Sequence, residues 1–327
     1  MLIDRFGRVH DNLRISVTDR CNIRCFYCMP ETDVQFVARG EILDFEEIER
    51  FARIAAGLGI RKLRMTGGEP LLRRDLPSLI ARLAVIPGIE DLALTTNGVL
   101  LEGLAAPLYD AGLRRLNVHI DTLDRERFRQ ITRRDDLGRV LAGLEAARRI
   151  GFKIKLNAVA VKNLVEPDIV PLARFARDHG YEARYIEFMP LDAQNLWDRS
   201  KVLLADQIIE TLSREISPLV PVPDPDPRAP ALEYAYADGG GTVGLIASVS
   251  RPFCGNCNRL RITADGKLRY CLFAVEEDDV KSLMRGGGSD VEIAALIGRN
   301  VDAKWAGHEI NSGKFVAPPR PMYSIGG

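Results

Sequence analysis

The sequence has no net charge. Its 45 Lys+Arg are matched by 45 Asp+Glu. A general nucleic-acid binder carries a basic excess, so that role is set aside. Long apolar runs are missing too, and none approaches the roughly 18 residues that span a bilayer. The opening "MLIDRFGRVHDNLR" mixes charges and has no apolar signal-peptide core. The chain is expected to be soluble and cytoplasmic, with no membrane partner. Histidine is scarce: His10, His119, His179 and His308 are all there is. No internal repeat appears beyond an alternation of strand and helix patterns. Cysteine is scarce as well, with six in 327 residues, and all six fall in two groups. In a reducing compartment, clustered thiols point to metal or redox chemistry rather than to disulfides.

What is present is a hydrophobic content of 46%, ample for a packed core and for about two domains. Six β-rich runs alternate with helical patterns over the first 190 residues. The runs are "LRISVT" (13–18), "KLRMTG" (62–67), "LALTTN" (92–97), "LNVHID" (116–121), "KIKLNAVA" (153–160) and "ARYIEFM" (183–189). "DFEEIERFARIAAGLG" places Phe45, Ile48, Phe51, Ala52, Ala55 and Leu58 on one face, with Asp44 as N-cap and Gly59 as stop. "LGRVLAGLEAARRIG" does the same with Leu137, Val140, Leu141 and Leu144, and ends at Gly151. Strand–helix alternation implies parallel strands with right-handed crossovers. Six units fall short of the eight that close a barrel. The expected fold is α/β, an open partial (β/α)6 barrel whose open side is covered by a smaller C-terminal domain. "PVPDPDPRAP" (221–230) has five prolines in ten residues and reads as a linker. The domains are then 1–220, the linker, and 231–327 with short strands and two short helices.

Parallel strands covered by helices normally read as unbroken apolar runs. These alternate instead. Arg14, Ser16 and Thr18 share one face; so do Arg64 and Thr66, then Thr95 and Asn97, then Asn117, His119 and Asp121, then Lys155 and Asn157. Apolar faces against the helices leave polar faces lining the barrel. A lumen holding Arg14, Arg64 and Lys155 is costly to desolvate empty, so it reads as a wet cavity for an anionic ligand. Active sites of such barrels gather at the C-terminal strand ends. The first strand is followed there by "CNIRCFYC" and the second by "GGEP".

Cys21, Cys25 and Cys28 are three thiols, where a structural zinc usually takes four ligands. A four-iron, four-sulfur cluster held by three thiolates keeps one iron open for an exogenous ligand. Zinc with a remote fourth ligand competes, although no histidine lies at ligand spacing. Cys254, Cys257 and Cys271 form a second triad, spaced Cys-x2-Cys-x13-Cys. A hairpin turning at Asp265-Gly266 brings Cys271 back to Cys257. The same arithmetic gives a second open-iron cluster, with a zinc ribbon short of one ligand as the competitor.

The Cys-x3-Cys-x2-Cys spacing with Tyr27 before the last cysteine resembles the radical S-adenosylmethionine superfamily, and "TGGEP" resembles its glycine-rich motif. Both triads, "SVTDRCN", "LTTNG", "DAGLRR", "IEFM", "FCGNCNRLR" and the final "IGG" resemble the GTP 3′,8-cyclase family of molybdenum-cofactor biosynthesis, from about residue 10 to the end. The resemblance implies a lyase that uses two 4Fe-4S clusters and S-adenosylmethionine to cyclise GTP to (8S)-3′,8-cyclo-7,8-dihydroguanosine 5′-triphosphate. It assigns Cys21, Cys25, Cys28, Cys254, Cys257 and Cys271 to the clusters. Tyr27, Gly68, His119 and Met189 fall to S-adenosylmethionine. Arg14, Arg64, Thr95, Lys155, Arg259 and Arg261 fall to GTP. The family often has serine where this chain has His119, which can still donate or accept a hydrogen bond. The Gly326-Gly327 tail is implied to reach the active site. Implied partners are an electron donor such as a flavodoxin and the next enzyme, cyclic pyranopterin monophosphate synthase. A homodimer is compatible with a sequence that does not fix the oligomeric state. Two rivals are a peptide-modifying radical enzyme, which usually has more C-terminal cysteines, and an iron–sulfur sensor, which needs neither "GGEP" nor a basic cavity.

Overall fold

The computed structural model describes residues 1–327 except Ala193, Asp224, Pro225 and Gly327. Its strands are β1 (Leu2–Ile3), β2 (Val9–His10), β3 (Asn12–Ser16), β4 (Lys62–Thr66), β5 (Asp91–Thr96), β6 (Arg115–His119), β7 (Lys153–Ala160), β8 (Glu182–Glu187), β9 (Leu219–Pro221), β10 (Leu232–Tyr236), β11 (Thr242–Ile246), β12 (Arg259–Ile262), β13 (Lys267–Arg269) and β14 (Asp278–Asp279). Its α-helices are α1 (Phe45–Gly57), α2 (Leu76–Ala84), α3 (Leu101–Asp110), α4 (Arg125–Thr132), α5 (Leu137–Ile150), α6 (Ile169–Asp178), α7 (Ala205–Glu215), α8 (Val280–Arg285), α9 (Asp290–Asp302) and α10 (Met322–Ile325).

Strands β3 to β8 lie side by side in chain order, all parallel, with helices in each crossover. Period two sorts their side chains. On β7, Ile154, Leu156, Ala158 and Ala160 are buried, while Lys155, Asn157 and Val159 on the other face keep some exposure. The buried faces join Leu13, Ile15, Leu63 and Met65 in one core with the helices. α1 shows how the sequence sets a helix. Asp44 accepts from Glu47 N and the Glu47 side chain reaches back to Asp44 N, so two end donors are satisfied. Ile48, Phe51, Ala52 and Ala55 then fall on the buried stripe, and Gly59 leaves the helix at φ 108°.

The C-terminal part does not build a sheet of its own. β12 adds parallel to β3, with Arg261 opposite Arg14, and β11 adds parallel to β8. Antiparallel strands extend both edges, giving the order β14-β13-β12-β3-β4-β5-β6-β7-β8-β11-β10-β9, which does not close on itself. The fold is an open partial barrel whose free side is covered by its own C-terminal segments. The proline-rich stretch begins with Pro221 inside β9, paired with Tyr234, and continues as the connection from the edge strand β9 to its neighbour β10. Asp224 and Pro225 of that stretch lie outside the described residues. Where two short helices were expected after residue 231, α8, α9 and α10 are found, and α9 runs 13 residues from a Ser289–Glu292 capping box.

Candidate active site between two cysteine triads

One cavity of about 290 Å³ is lined by all six cysteines, with the ends of β3 to β8 on one side and the second-triad hairpin on the other. No thiol is in a disulfide. The first triad sits in the loop after β3. Cys28 N (2.9 Å) and Met29 N (3.0 Å) both donate to the Cys25 carbonyl and close a tight turn. Arg24 N donates to Thr132 O and Phe26 N to Ile131 O, which stitches the loop to the end of α4.

The glycine pair after β4 holds this loop from the other side. Gly68 N donates to Thr18 O and Glu69 N to Arg20 O, both at 2.7 Å. A Cβ on Gly68 would stand 2.5 Å from the Arg20 carbonyl, and one on Gly67 would stand 2.6 Å from that of Thr18. Glycine is needed here because two backbones touch. Glu69 is buried and accepts from Leu71 N, Thr96 Oγ1 and Asn97 N; burial pushes its carboxyl up to about 7. Burial likewise pushes the Cys21 thiol up to about 12 and Cys28 well above its ordinary range.

Tyr27 and His119 meet at Asp121. The Tyr27 hydroxyl contacts both partners, and His119 Nε2 lies 3.1 Å from Asp121 Oδ2. Val159 N donates to the other oxygen of Asp121 at 2.7 Å. Burial disfavours the charged imidazole, but Asp121 outweighs it and holds the pKa of His119 well above the usual value. His119 is therefore an oriented group on the cavity wall, with Tyr27, Gly68 and Met189 also on that wall.

The second triad is carried by the turn Cys254–Asn256, where Cys257 N donates to Cys254 O, and by the β12–β13 hairpin that returns to Cys271. Its surroundings are cationic. Arg259 Nη2 lies 3.5 Å from Cys257 Sγ. Burial opposes ionisation of Cys257, yet Arg259 and then Lys304 outweigh it and draw the thiol down to about 5.

Arg14, Arg64, Thr95, Arg259 and Arg261 line the same cavity. The Nε atoms of Arg14 and Arg64 are buried without a hydrogen-bond partner. Burial, then neighbouring arginines, lower the pKa of Arg64 to about 10 and of Arg261 to about 9, and lower Arg14 well below the ordinary value. Four guanidiniums crowded together with orphaned donors make a site built for an anion. Lys155 departs from the sequence expectation: it is not part of the cavity wall. Its Nζ is held by Glu182 at 2.7 Å and Glu233 at 3.6 Å, deeper along β7 than the lining Asn157. Arg184, which sequence reasoning missed, lines the cavity and shares those two acids at 2.5 and 3.1 Å. Its signal was faint: within the run 183–189 it is the one polar residue on a face shared with Ile186 and Phe188, and its partner Glu182 lies just before that run. Asp121 was legible as part of a polar face, but not as the partner of Tyr27 and His119.

The C-terminal tail reaches this chamber. Met322 and Tyr323 line it, and Arg261 Nη1 donates to Gly326 O at 2.8 Å. A Cβ on Gly326 would meet Ser16 Cβ at 2.8 Å and Thr66 Cγ2 at 3.2 Å. Arg320 holds the segment through Asp265 (3.0 Å), Glu277 (3.1 Å) and Ser324 O (3.0 Å). Gly327 lies outside the described residues.

Among the described residues no three His, Cys, Asp or Glu groups are gathered tightly enough for a single metal ion. A mononuclear zinc needs all its donors around one point. A four-iron cluster spreads its thiolates, one to each iron, and two sets of three free thiols facing a common cavity fit that pattern.

Residues 15–176 match the model of the radical SAM superfamily, and residues 181–310 match that of Molybdenum Cofactor Synthesis C. Solved structures share the fold. Streptococcus suis SuiB bound to S-adenosylmethionine gives a TM-score of 0.63 at 14% identity, covering 88% of this chain and 68% of that one. Methylornithine synthase gives 0.56 at 18% identity, covering 88% and 86%. Fold and thiol motif together define a radical S-adenosylmethionine protein. The GTP 3′,8-cyclase of Rhodopirellula baltica is 50% identical over 100% of this chain and 92% of its own length. That of Mycolicibacterium smegmatis is 46% identical with the same coverage. The chain belongs to the GTP 3′,8-cyclase family of that superfamily. Membership carries the family's cofactor set, S-adenosylmethionine and two 4Fe-4S clusters.

Proposed function

We propose that this protein cyclises GTP to (8S)-3′,8-cyclo-7,8-dihydroguanosine 5′-triphosphate, the first step of molybdenum-cofactor biosynthesis. The observation that carries the reading is the single cavity bounded by both free thiol triads and by four arginines. In this reading Cys21, Cys25 and Cys28 hold the cluster that binds S-adenosylmethionine, beside Tyr27, Gly68, His119 and Met189. Cys254, Cys257 and Cys271 hold the second, near the guanine. When bound there, the first cluster and S-adenosylmethionine would supply the one-electron chemistry that draws on the C3′ hydrogen of GTP, with the balancing electron and proton coming from outside the protein.

The protein's own work is positioning. Lys155 and Arg184 are offset by Glu182 and Glu233, which leaves Arg14, Arg64, Arg259 and Arg261 without an acidic side chain within 4.0 Å among the described residues. A triphosphate carries about four negative charges, and these four guanidiniums match it. They come from β3, β4 and β12, so the phosphates are gripped where the barrel meets its cover. Lys155 acts from behind, by keeping Glu182 and Glu233 neutralised. Enclosure by the tail and the hairpin would keep water out of the cavity during the reaction.

No helix among the described residues is long and apolar enough to cross a membrane. We place the protein in the cytoplasm, drawing electrons from a donor such as a flavodoxin and passing product to cyclic pyranopterin monophosphate synthase, with a homodimer as the assembly to test. Residues 1–220 serve as the partial barrel, 221–230 as the linker and 231–327 as the second-cluster domain with its tail. GTP deuterated at C3′ tests the activity. Deuterium is expected in 5′-deoxyadenosine, and its absence would falsify the route.

A further inference from the structure

Two buried cations outside the cavity wall hold the loops that bear the second triad. Lys304 follows α9 and is 3% exposed. Its ammonium donates to the carbonyls of Arg259 at 2.9 Å and Tyr270 at 2.6 Å. Arg259 stands two residues after Cys257, and Tyr270 one residue before Cys271. The ladder between β12 and β13 pairs Arg261 with Arg269 and Ile262 with Leu268. The ammonium therefore ties the two arms beyond the end of that ladder, on the cysteine side. Arg8 completes the bracket. Its Nη1 donates to Cys254 O (2.7 Å) and Ala306 O (3.2 Å), its Nη2 to Trp305 O (2.6 Å), and its Nε to Asp4 (2.6 Å). The segment 304–306 is thus bonded, directly or through Arg8, to the chain beside each of the three thiols.

The two cations differ in one respect. Arg8 has a carboxylate partner in Asp4. Lys304 has none within 4.0 Å among the described residues, and the negative groups that act on it are Cys257 and Cys271. A buried ammonium without a counter-ion is costly. Carbonyls satisfy its hydrogen bonds but not its charge. At the first triad a carboxylate, Glu69, and a guanidinium, Arg24, act on Cys21 with opposite sign.

We infer that Lys304 is the positioning residue and the counter-charge of the second iron–sulfur centre. It fixes the separation of Cys257 and Cys271 and offsets the negative charge of the thiolate-bound cluster. This rests on Cys254, Cys257 and Cys271 being ligands, as proposed above. Removing the charge makes the more negative, reduced form harder to reach and leaves the arms of the hairpin untied.

The test compares wild type, K304M and K304R after anaerobic reconstitution, by iron and sulfide analysis and by reductive titration followed with electron paramagnetic resonance. Wild type is expected to hold about eight irons, two clusters of four. Wild type with only about four irons would remove the two-cluster reading itself. K304M is expected to keep the first centre, seen as a signal that changes when S-adenosylmethionine is added. Its second centre falls by more than half, and whatever remains has a more negative midpoint potential. K304R, which keeps the charge, retains more of the second centre at a potential nearer wild type. K304M with a full second centre at wild-type potential overturns the inference. Equal loss of both centres also overturns it, because Lys304 would then serve the fold as a whole. K304R no better than K304M removes the counter-charge.

Discussion

The walls around the two triads differ in kind. At Cys21, Cys25 and Cys28 the loop is pressed between the end of α4 and the Gly67–Gly68 turn, with the buried carboxyl of Glu69 and the Arg24 guanidinium both acting on Cys21. Burial keeps Cys21 and Cys28 protonated to high pH. At Cys254, Cys257 and Cys271 the neighbours are Arg259 and Lys304, which draw the Cys257 thiol down to about 5, although burial still pushes the Cys254 thiol up. Both triads belong to one cavity, so the contrast is imposed over a short distance by local side chains. A centre in largely apolar surroundings, where Glu69 and Arg24 act on Cys21 with opposite sign, gets little help in gaining an electron and gives it up readily, which suits one-electron cleavage of a sulfonium. A centre among cations tolerates negative charge and suits holding an anionic substrate.

Removing one ligand from each triad should separate the two roles most sharply. Cys25→Ala is expected to abolish formation of 5′-deoxyadenosine. Cys257→Ala is expected to leave that cleavage measurable but to give no cyclised nucleotide. Each variant should drop from about eight irons to about four. Iron analysis and chromatography of both products check this, and cyclisation by Cys257→Ala would break the comparison. A smaller effect is expected from the cationic side. Arg64→Met removes charge-assisted bonds worth about 1.5–3 kcal/mol, or roughly 10- to 150-fold in GTP affinity. Lys155→Met is expected to stay within about threefold, because two carboxylates already neutralise that ammonium. Equilibrium binding of GTP to the two variants decides it, and the reverse order would return Lys155 to the cavity wall.

Much of this arrangement could be read from local sequence, for identifiable reasons. Cysteine spacing is local, and so is strand periodicity, which put Arg14, Arg64 and Thr95 on the inner faces of β3, β4 and β5. Helix ends were legible at Asp44 and Gly151 because capping is set by residues a few positions apart. What stayed hidden depends on contacts far along the chain. Arg8 reaches the carbonyl of Cys254 across 246 residues. Lys304 meets Arg259 and Tyr270 across 45 and 34. Lys155 looked free because Glu233, its second partner, lies beyond the proline-rich stretch. Nothing in the sequence hints at what the glycine pair of "GGEP" meets in the fold, where the space a Cβ would need is filled by the backbone of Thr18 to Arg20. Which side chains of opposite sign become neighbours is a tertiary fact, and no periodicity reports it.

Stepwise reduction of the anaerobically reconstituted protein, followed by electron paramagnetic resonance, tests the central contrast most directly. The Cys25→Ala and Cys257→Ala proteins assign each signal to its triad. The centre at Cys254, Cys257 and Cys271 is predicted to accept its electron at the more positive potential. If the centre at Cys21, Cys25 and Cys28 were reduced first, the electrostatic account of the two halves of the site would be contradicted.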